Sequence, residues 1–143
     1  MSDLTTHHSI TIDAPPERVW EALTTPAQIK LWFFGVDTES DWRRGSQLVH
    51  RGEYQGRPYQ DKGEIVRIEP PTLLVHTHWS DISGLPEEPG TYQQVTWSLE
   101  EHDGVTELTV SEVNLPSEEA KATSDQSWPM ALENLKRVVE DGG

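Results

Sequence analysis

Cysteine is absent from the 143 residues, which excludes disulfides and thiolate chemistry and suits a reducing cytoplasm. Positive charge is scarce. Eleven lysines and arginines stand against 25 aspartates and glutamates, for a formal net charge of −14. Such a surface repels nucleic acid and anionic lipid headgroups, and it favours solubility or a basic protein partner. Long apolar runs are missing as well, so no segment reads as inserting into a membrane. The opening residues Met1-Ser2-Asp3-Leu4-Thr5-Thr6-His7-His8 are too polar for a secretory leader. There is no Gly-rich phosphate or dinucleotide loop and no zinc-finger spacing. No Ser nucleophile with an adjacent base stands out. The reading assigns no catalytic residue, no metal ligand and no cofactor; catalysis is the minority reading, and the expected location is cytoplasmic.

What is present is tryptophan, six in a chain of this length. Large rings fill cores and also line apolar pockets. The clearest periodic stretch runs from Ser124 to Glu140. Trp128, Leu132, Leu135 and Val139 recur at helical spacing, Ala131 and Val138 widen the stripe, and Glu133, Lys136, Arg137 and Glu140 fall on the other side. Pro129 cannot donate a backbone hydrogen bond, so the helix is expected to begin near Asp125 or Ser127, or to kink there. Pro116-Ser117-Glu118-Glu119 reads as a separate helical turn before it.

Upstream, alternation predicts strand 1 over Leu4–Asp13, with Ile10 and Ile12 on one face. Two short helices follow. One opens at Pro16 and buries Val19, Trp20 and Leu23; the other is capped by Thr25, has Pro26 at its first position, and presents Ile29, Trp32 and Phe33. From Gly35 the period becomes two. Strands are expected at Val36–Thr38, Gln47–Tyr54, Tyr59–Glu69, Leu73–Trp79, Thr91–Glu100 and Val105–Val113. Turns are expected at Arg44-Gly45-Ser46, Gly56-Arg57-Pro58, Pro70-Pro71 and His102-Asp103-Gly104. Ser80–Gly90 reads as an exposed loop. Sequential hairpins around one long helix give an α+β class over a single domain, residues 1–143.

Three motifs carry a resemblance. Ala14-Pro15-Pro16-Glu17-Arg18-Val19-Trp20-Glu21-Ala22-Leu23-Thr24-Thr25-Pro26 resembles the opening of the activator of heat-shock-protein-90 ATPase homologue family, within the START-like (SRPBCC) superfamily. Gly63-Glu64-Ile65-Val66-Arg67-Ile68-Glu69-Pro70-Pro71 is similar to its central strand and turn. Ser127-Trp128-Pro129-Met130-Ala131-Leu132-Glu133-Asn134-Leu135-Lys136 is similar to its closing helix, where a Gly commonly replaces Ser127. The resemblance implies a helix-grip fold: a curved antiparallel sheet of about six to seven strands around the C-terminal helix, with an apolar cavity between them. It implies binding of a small apolar or amphipathic molecule, lipid-like, aromatic or polyketide-like. The alternatives are a cochaperone-like module that binds a chaperone or other basic protein, and a cyclase-like enzyme.

The candidate ligand-binding residues are Trp32, Phe34, His50, Tyr54, His76, His78, Trp97, Val110, Glu112, Trp128 and Leu132; Trp42 is a further aromatic candidate, whereas Trp20 reads as core. His76 and His78 share one face of a strand, because i and i+2 point the same way. Three readings stay open for them. They could bind a metal or act as acid and base with Glu112, face solvent, or place polar groups in the cavity. In the last case the pocket prefers a ligand with one polar end, such as a carboxylate, phenol or keto group. Replacing both with Phe is then expected to spare the fold.

Overall fold

The computed structural model describes residues 3–81 and 85–142. Strand β1 (Thr5–Ile12) leads into helices α1 (Pro16–Thr24) and α2 (Pro26–Trp32). Six strands follow: β2 (Asp37–Ser40), β3 (Gln47–Tyr54), β4 (Arg57–Glu69), β5 (Leu73–Ser80), β6 (Gln93–His102) and β7 (Val105–Val113). Helix α3 (Glu118–Gly142) closes the chain. The strands form one antiparallel sheet in the order β1-β7-β6-β5-β4-β3-β2. The two edge strands are thus consecutive in the chain, and α1 and α2 bridge them across the open side. This is the curved-sheet helix-grip architecture of the α+β class.

Local chemistry explains the elements. Asp103 (φ 55°) and Gly104 (φ 84°) both adopt the left-handed region that a two-residue hairpin turn requires. Gln55 (φ 54°) and Gly56 (φ 79°) do the same, so the β3–β4 turn lies one residue earlier than expected, and Arg57 and Pro58 already pair with β3. Gly63 has a different reason for being glycine. A Cβ there would sit 1.8 Å from the Thr77 carbonyl oxygen, so β5 crosses at a distance only hydrogen allows. The register of β4 on β5 shifts just beyond it, between Ile65 and Arg67. Thr25 does occupy the N-cap of α2, but its hydroxyl makes no capping bond. Trp32 instead ties α2 to α1 through Nε1–H to the Ala22 carbonyl, 2.8 Å.

Other boundaries move by a few residues. The strand expected at Val36–Thr38 is Asp37–Ser40, and the one expected at Thr91–Glu100 is Gln93–His102. Within the expected Ser80–Gly90 loop, Ser80 ends β5, Pro89–Thr91 form a single 3-10 turn, and residues 82–84 lie outside the described residues. The larger correction concerns α3. The separate turn expected at Pro116–Glu119 is the start of one continuous 25-residue helix with Pro129 inside it.

That helix has two unlike halves. After Pro129, Ala131, Leu132, Leu135 and Val139 are buried against Ile12, Val19, Leu99 and Leu108. Full burial of each Leu or Val contributes about 1.5–3 kcal/mol, which makes this half the anchor of the fold. Before Pro129, no residue of the helix is fully buried. Apart from the Trp128 ring, which packs on Phe33 and Trp97, its contacts are polar. Asp125 accepts hydrogen bonds from Thr6 and Lys121 and lies 3.0 Å from His8 Nε2. The Thr6 hydroxyl, followed by Lys121, holds Asp125 well below the usual carboxylate range, at about 2.

Candidate functional site: a polar-floored cleft under helix α3

Beneath that polar half, between α3, α2 and the concave face of the sheet, lies a cleft of about 940 Å³. Period-two alternation decides which side chains reach it. Along β3, β4 and β5 the inward positions are His50 and Tyr54, Tyr59 and Asp61, and His76 and His78. Trp32, Phe34, Trp97, Glu112 and Trp128 also line it, as does Trp42. Val110 and Leu132 do not. They are buried in the closed core, because the anchoring half of α3 lies directly on their end of the sheet. Trp20 packs at the core margin, away from the cleft.

The histidines face inward rather than toward solvent, but they are not equivalent. His76 Nδ1 lies 3.1 Å from the Thr77 carbonyl, and its Nε2 receives the Trp97 indole N–H at 3.2 Å. Nδ1 must therefore carry the proton and Nε2 the lone pair, which describes a neutral ring with both nitrogens occupied. Burial lowers its pKa to about 4. His50 pairs through Nδ1 with the Thr38 hydroxyl at 2.8 Å. Burial, reinforced by the neighbouring His76 and His78, lowers it to about 3.

His78 goes the other way. Nε2 lies 3.1 Å from Asp61 Oδ2 and Nδ1 lies 3.3 Å from Gln93 Oε1, so both nitrogens face oxygen acceptors, as an imidazolium requires. Burial opposes the charge, yet the bond to Asp61 and its negative charge outweigh it and raise the pKa above 6.5. Asp61 answers in kind: burial would raise its carboxyl, but the His78 bond holds it below its usual value. The cleft floor therefore holds two rings kept neutral by burial and a hydrogen-bonded His78–Asp61 pair in which each group favours the charged form of the other. Replacing both His76 and His78 with Phe would leave Asp61 buried without its His78 partner, so that change is expected to cost stability. Asp61 was missed in the sequence. The available signal was a carboxylate at the inward register of a long strand, between Tyr59 and Gly63.

Glu112 does not complete a metal site with the histidines. Its Oε1 accepts the Ser124 hydroxyl at 3.0 Å and the Trp128 indole N–H at 3.2 Å, which clasps the polar half of α3 to β7. Among the described residues, only Glu100, His102 and Glu107 bring ligand atoms within 4.8 Å of one another. All three are exposed at the β6–β7 hairpin. Aromatic rings form the cleft's upper wall: Phe33 stacks on Trp128 at 6.2 Å, and Trp97 meets Trp128 edge-on at 5.4 Å.

This architecture has relatives. The sequence pattern described as "Activator of Hsp90 ATPase homolog 1-like protein" matches residues 13–140. The chain belongs to that family. The solution structure of ChR145 from Cytophaga hutchinsonii is 36% identical, superposes with a TM-score of 0.83, and the match covers 98% of this chain and 96% of the other. The crystal structure of CalU16 from Micromonospora echinospora is 27% identical with a TM-score of 0.74, covering 96% and 77% of the two chains. The solution structure of the Aha1 dimer from Colwellia psychrerythraea shares the fold at 21% identity, TM-score 0.78, covering 97% and 98%. No curated protein matches the chain in sequence. In this member of the Hsp90 ATPase activator homologue family the cleft floor is polar. Among the described residues, no helix is long and apolar enough to cross a membrane.

Proposed function

We propose that this protein binds a small amphipathic molecule in the cleft beneath the polar half of α3. The observation that carries the reading is the cleft itself, about 940 Å³ with an aromatic wall above and a polar floor below. That volume lies within the roughly 300–1,000 Å³ of small-molecule sites, and a mainly apolar lining with a few placed polar groups is their usual composition. Phe34 and Tyr54, 48% and 59% exposed, mark the mouth. In this reading Trp32, Trp97 and Trp128 supply contact area, His50 and Glu112 orient the ligand, and His78–Asp61 fixes the floor. A cytoplasmic setting and a single domain over residues 1–143 belong to the same proposal. Native mass spectrometry of gently purified protein is expected to retain a lipid-sized or aromatic-sized mass. Clean apo protein, with no thermal shift across a broad library, would rule the reading out.

The family match and the −14 charge favour a second reading, a cochaperone-like module for a basic protein surface. A one-to-one complex that dissociates steeply with salt is its signature. An affinity unchanged by salt argues against it.

A further inference from the structure

Glu112 is only 6% exposed, yet one of its oxygens is unused. Oε1 takes both the Ser124 hydroxyl and the Trp128 indole, while Oε2 has no hydrogen-bond partner among the described residues. The side chain lines the cleft directly beside the Phe33–Trp128 stack. A buried carboxylate oxygen left without a donor, at the edge of an aromatic wall, is suited to an ammonium group whose attached ring packs on that wall.

The rest of the lining has the same sign. Glu53, Asp61, Glu112 and Glu119 line the cleft, and no lysine or arginine does so among the described residues. His78 spends both ring nitrogens on Asp61 and Gln93, and the Glu112 charge also favours its protonated form. His76 spends both nitrogens inside the protein, and burial keeps His50 neutral. No cation is left to meet an anionic headgroup, and the whole chain adds a formal −14 around it.

We propose that the cleft selects an aromatic amine, bound as its ammonium at Glu112 Oε2 with its ring against the aromatic wall, and disfavours carboxylates. This narrows the polar-ended ligand of the preceding reading, on which it rests, and it removes the carboxylate from that set.

Three probes of one shape separate the charge from the ring: 1-naphthylmethylamine, 1-naphthalenemethanol and 1-naphthoate, titrated into the full chain at pH 7 and low salt by calorimetry. The amine is expected to bind about tenfold more tightly than the alcohol, and naphthoate more weakly than either. Added salt should erode the amine's lead and leave the alcohol unchanged. Glu112→Gln keeps the acceptor for Ser124 and Trp128, and should bring amine and alcohol to within about twofold of each other. Naphthoate binding as tightly as the amine, or an amine lead that survives Glu112→Gln, would overturn the inference while leaving the cleft a binding site. Binding of none of the three would overturn both. The amine-to-naphthoate ratio in the parent chain decides the matter even where the Gln variant fails to fold.

Discussion

The two halves of α3 share one axis and meet the same sheet on opposite terms. Past Pro129 the helix is held by Ala131, Leu132, Leu135 and Val139, which leave water completely or nearly so. Ahead of Pro129, apart from the Trp128 ring on Phe33 and Trp97, it is held by Glu112, Thr6, His8 and their partners, at distances that water could match. The sheet shows the same division. At the anchoring end its inward residues are Ile12, Leu99 and Leu108; at the other end they are His50, Asp61 and His78. Apolar contact gives a well-packed, permanent junction. Polar contact gives a junction with a small net free energy, because each hydrogen bond replaces one to water. A protein that must hold its fold and still admit a ligand can use the first kind at one end and the second at the other.

The largest expected effect breaks the anchoring half. Leu132→Asp places an unpaired charge among apolar strands and should cost more than about 4 kcal/mol, enough to unfold the chain. A thermal melt resembling the parent's would refute the anchor. Next is the floor. His78→Phe strips Asp61 of its imidazolium and should cost about 3–5 kcal/mol in urea unfolding, far more than a typical His→Phe change at a surface.

The pH response separates the two neutral rings from the pair. The folded-state values of about 3 for His50 and about 4 for His76 lie below the 6.5 of an exposed histidine. As pH falls below about 6.5 the unfolded chain takes up these protons first. Stability is thus fully present above that value and declines toward pH 4 by about 1.4 kcal/mol per pH unit for each ring. His78 has the opposite sign: its stabilisation holds below about 6.5 and is lost as pH rises through its raised folded value. Asp61 contributes above about 3.8 and loses that contribution as pH falls through its lowered value. Urea midpoints at pH 7 and 4.5 should therefore differ clearly; equal midpoints would place His50 and His76 in water.

The smallest effect sharpens the contrast within the helix. Glu112→Ala removes the clasp on Ser124 and Trp128, and should cost only about 1–2 kcal/mol. It should speed amide hydrogen exchange in residues 118–128 while leaving residues 131–139 protected. Uniform acceleration along the helix would mean the halves are one cooperative unit.

How much of this the sequence carries follows from the same contrast. The anchoring half and the strands are legible, because burial imposes a period of 3.6 or 2 on apolar residues. The polar half is not, since a helix segment that covers a cleft needs no apolar stripe; the start expected near Asp125 or Ser127 therefore falls after the observed one at Glu118. Inward facing of His50, Tyr54 and Glu112 follows from alternation alone. The pairing of His78 with Asp61 does not, because it depends on the β4–β5 register, which a bulge shifts near Gly63. Which inward residues meet the cleft and which meet the core depends on where along the sheet α3 lies. That is a tertiary fact, and it moves Val110 and Leu132 out of the site.

The tryptophans provide the most direct test of the cleft as a binding site. Trp32, Trp42, Trp79, Trp97 and Trp128 line it, and Trp20 does not. Each indole N–H gives its own signal in a ¹⁵N–¹H spectrum. Titration with neutral 1-naphthalenemethanol is expected to shift the Trp97 and Trp128 signals in a saturable way, with Trp20 unmoved. Saturating probe that leaves Trp97 and Trp128 in place, or that shifts Trp20 as strongly, would contradict a ligand held beneath the polar half of α3.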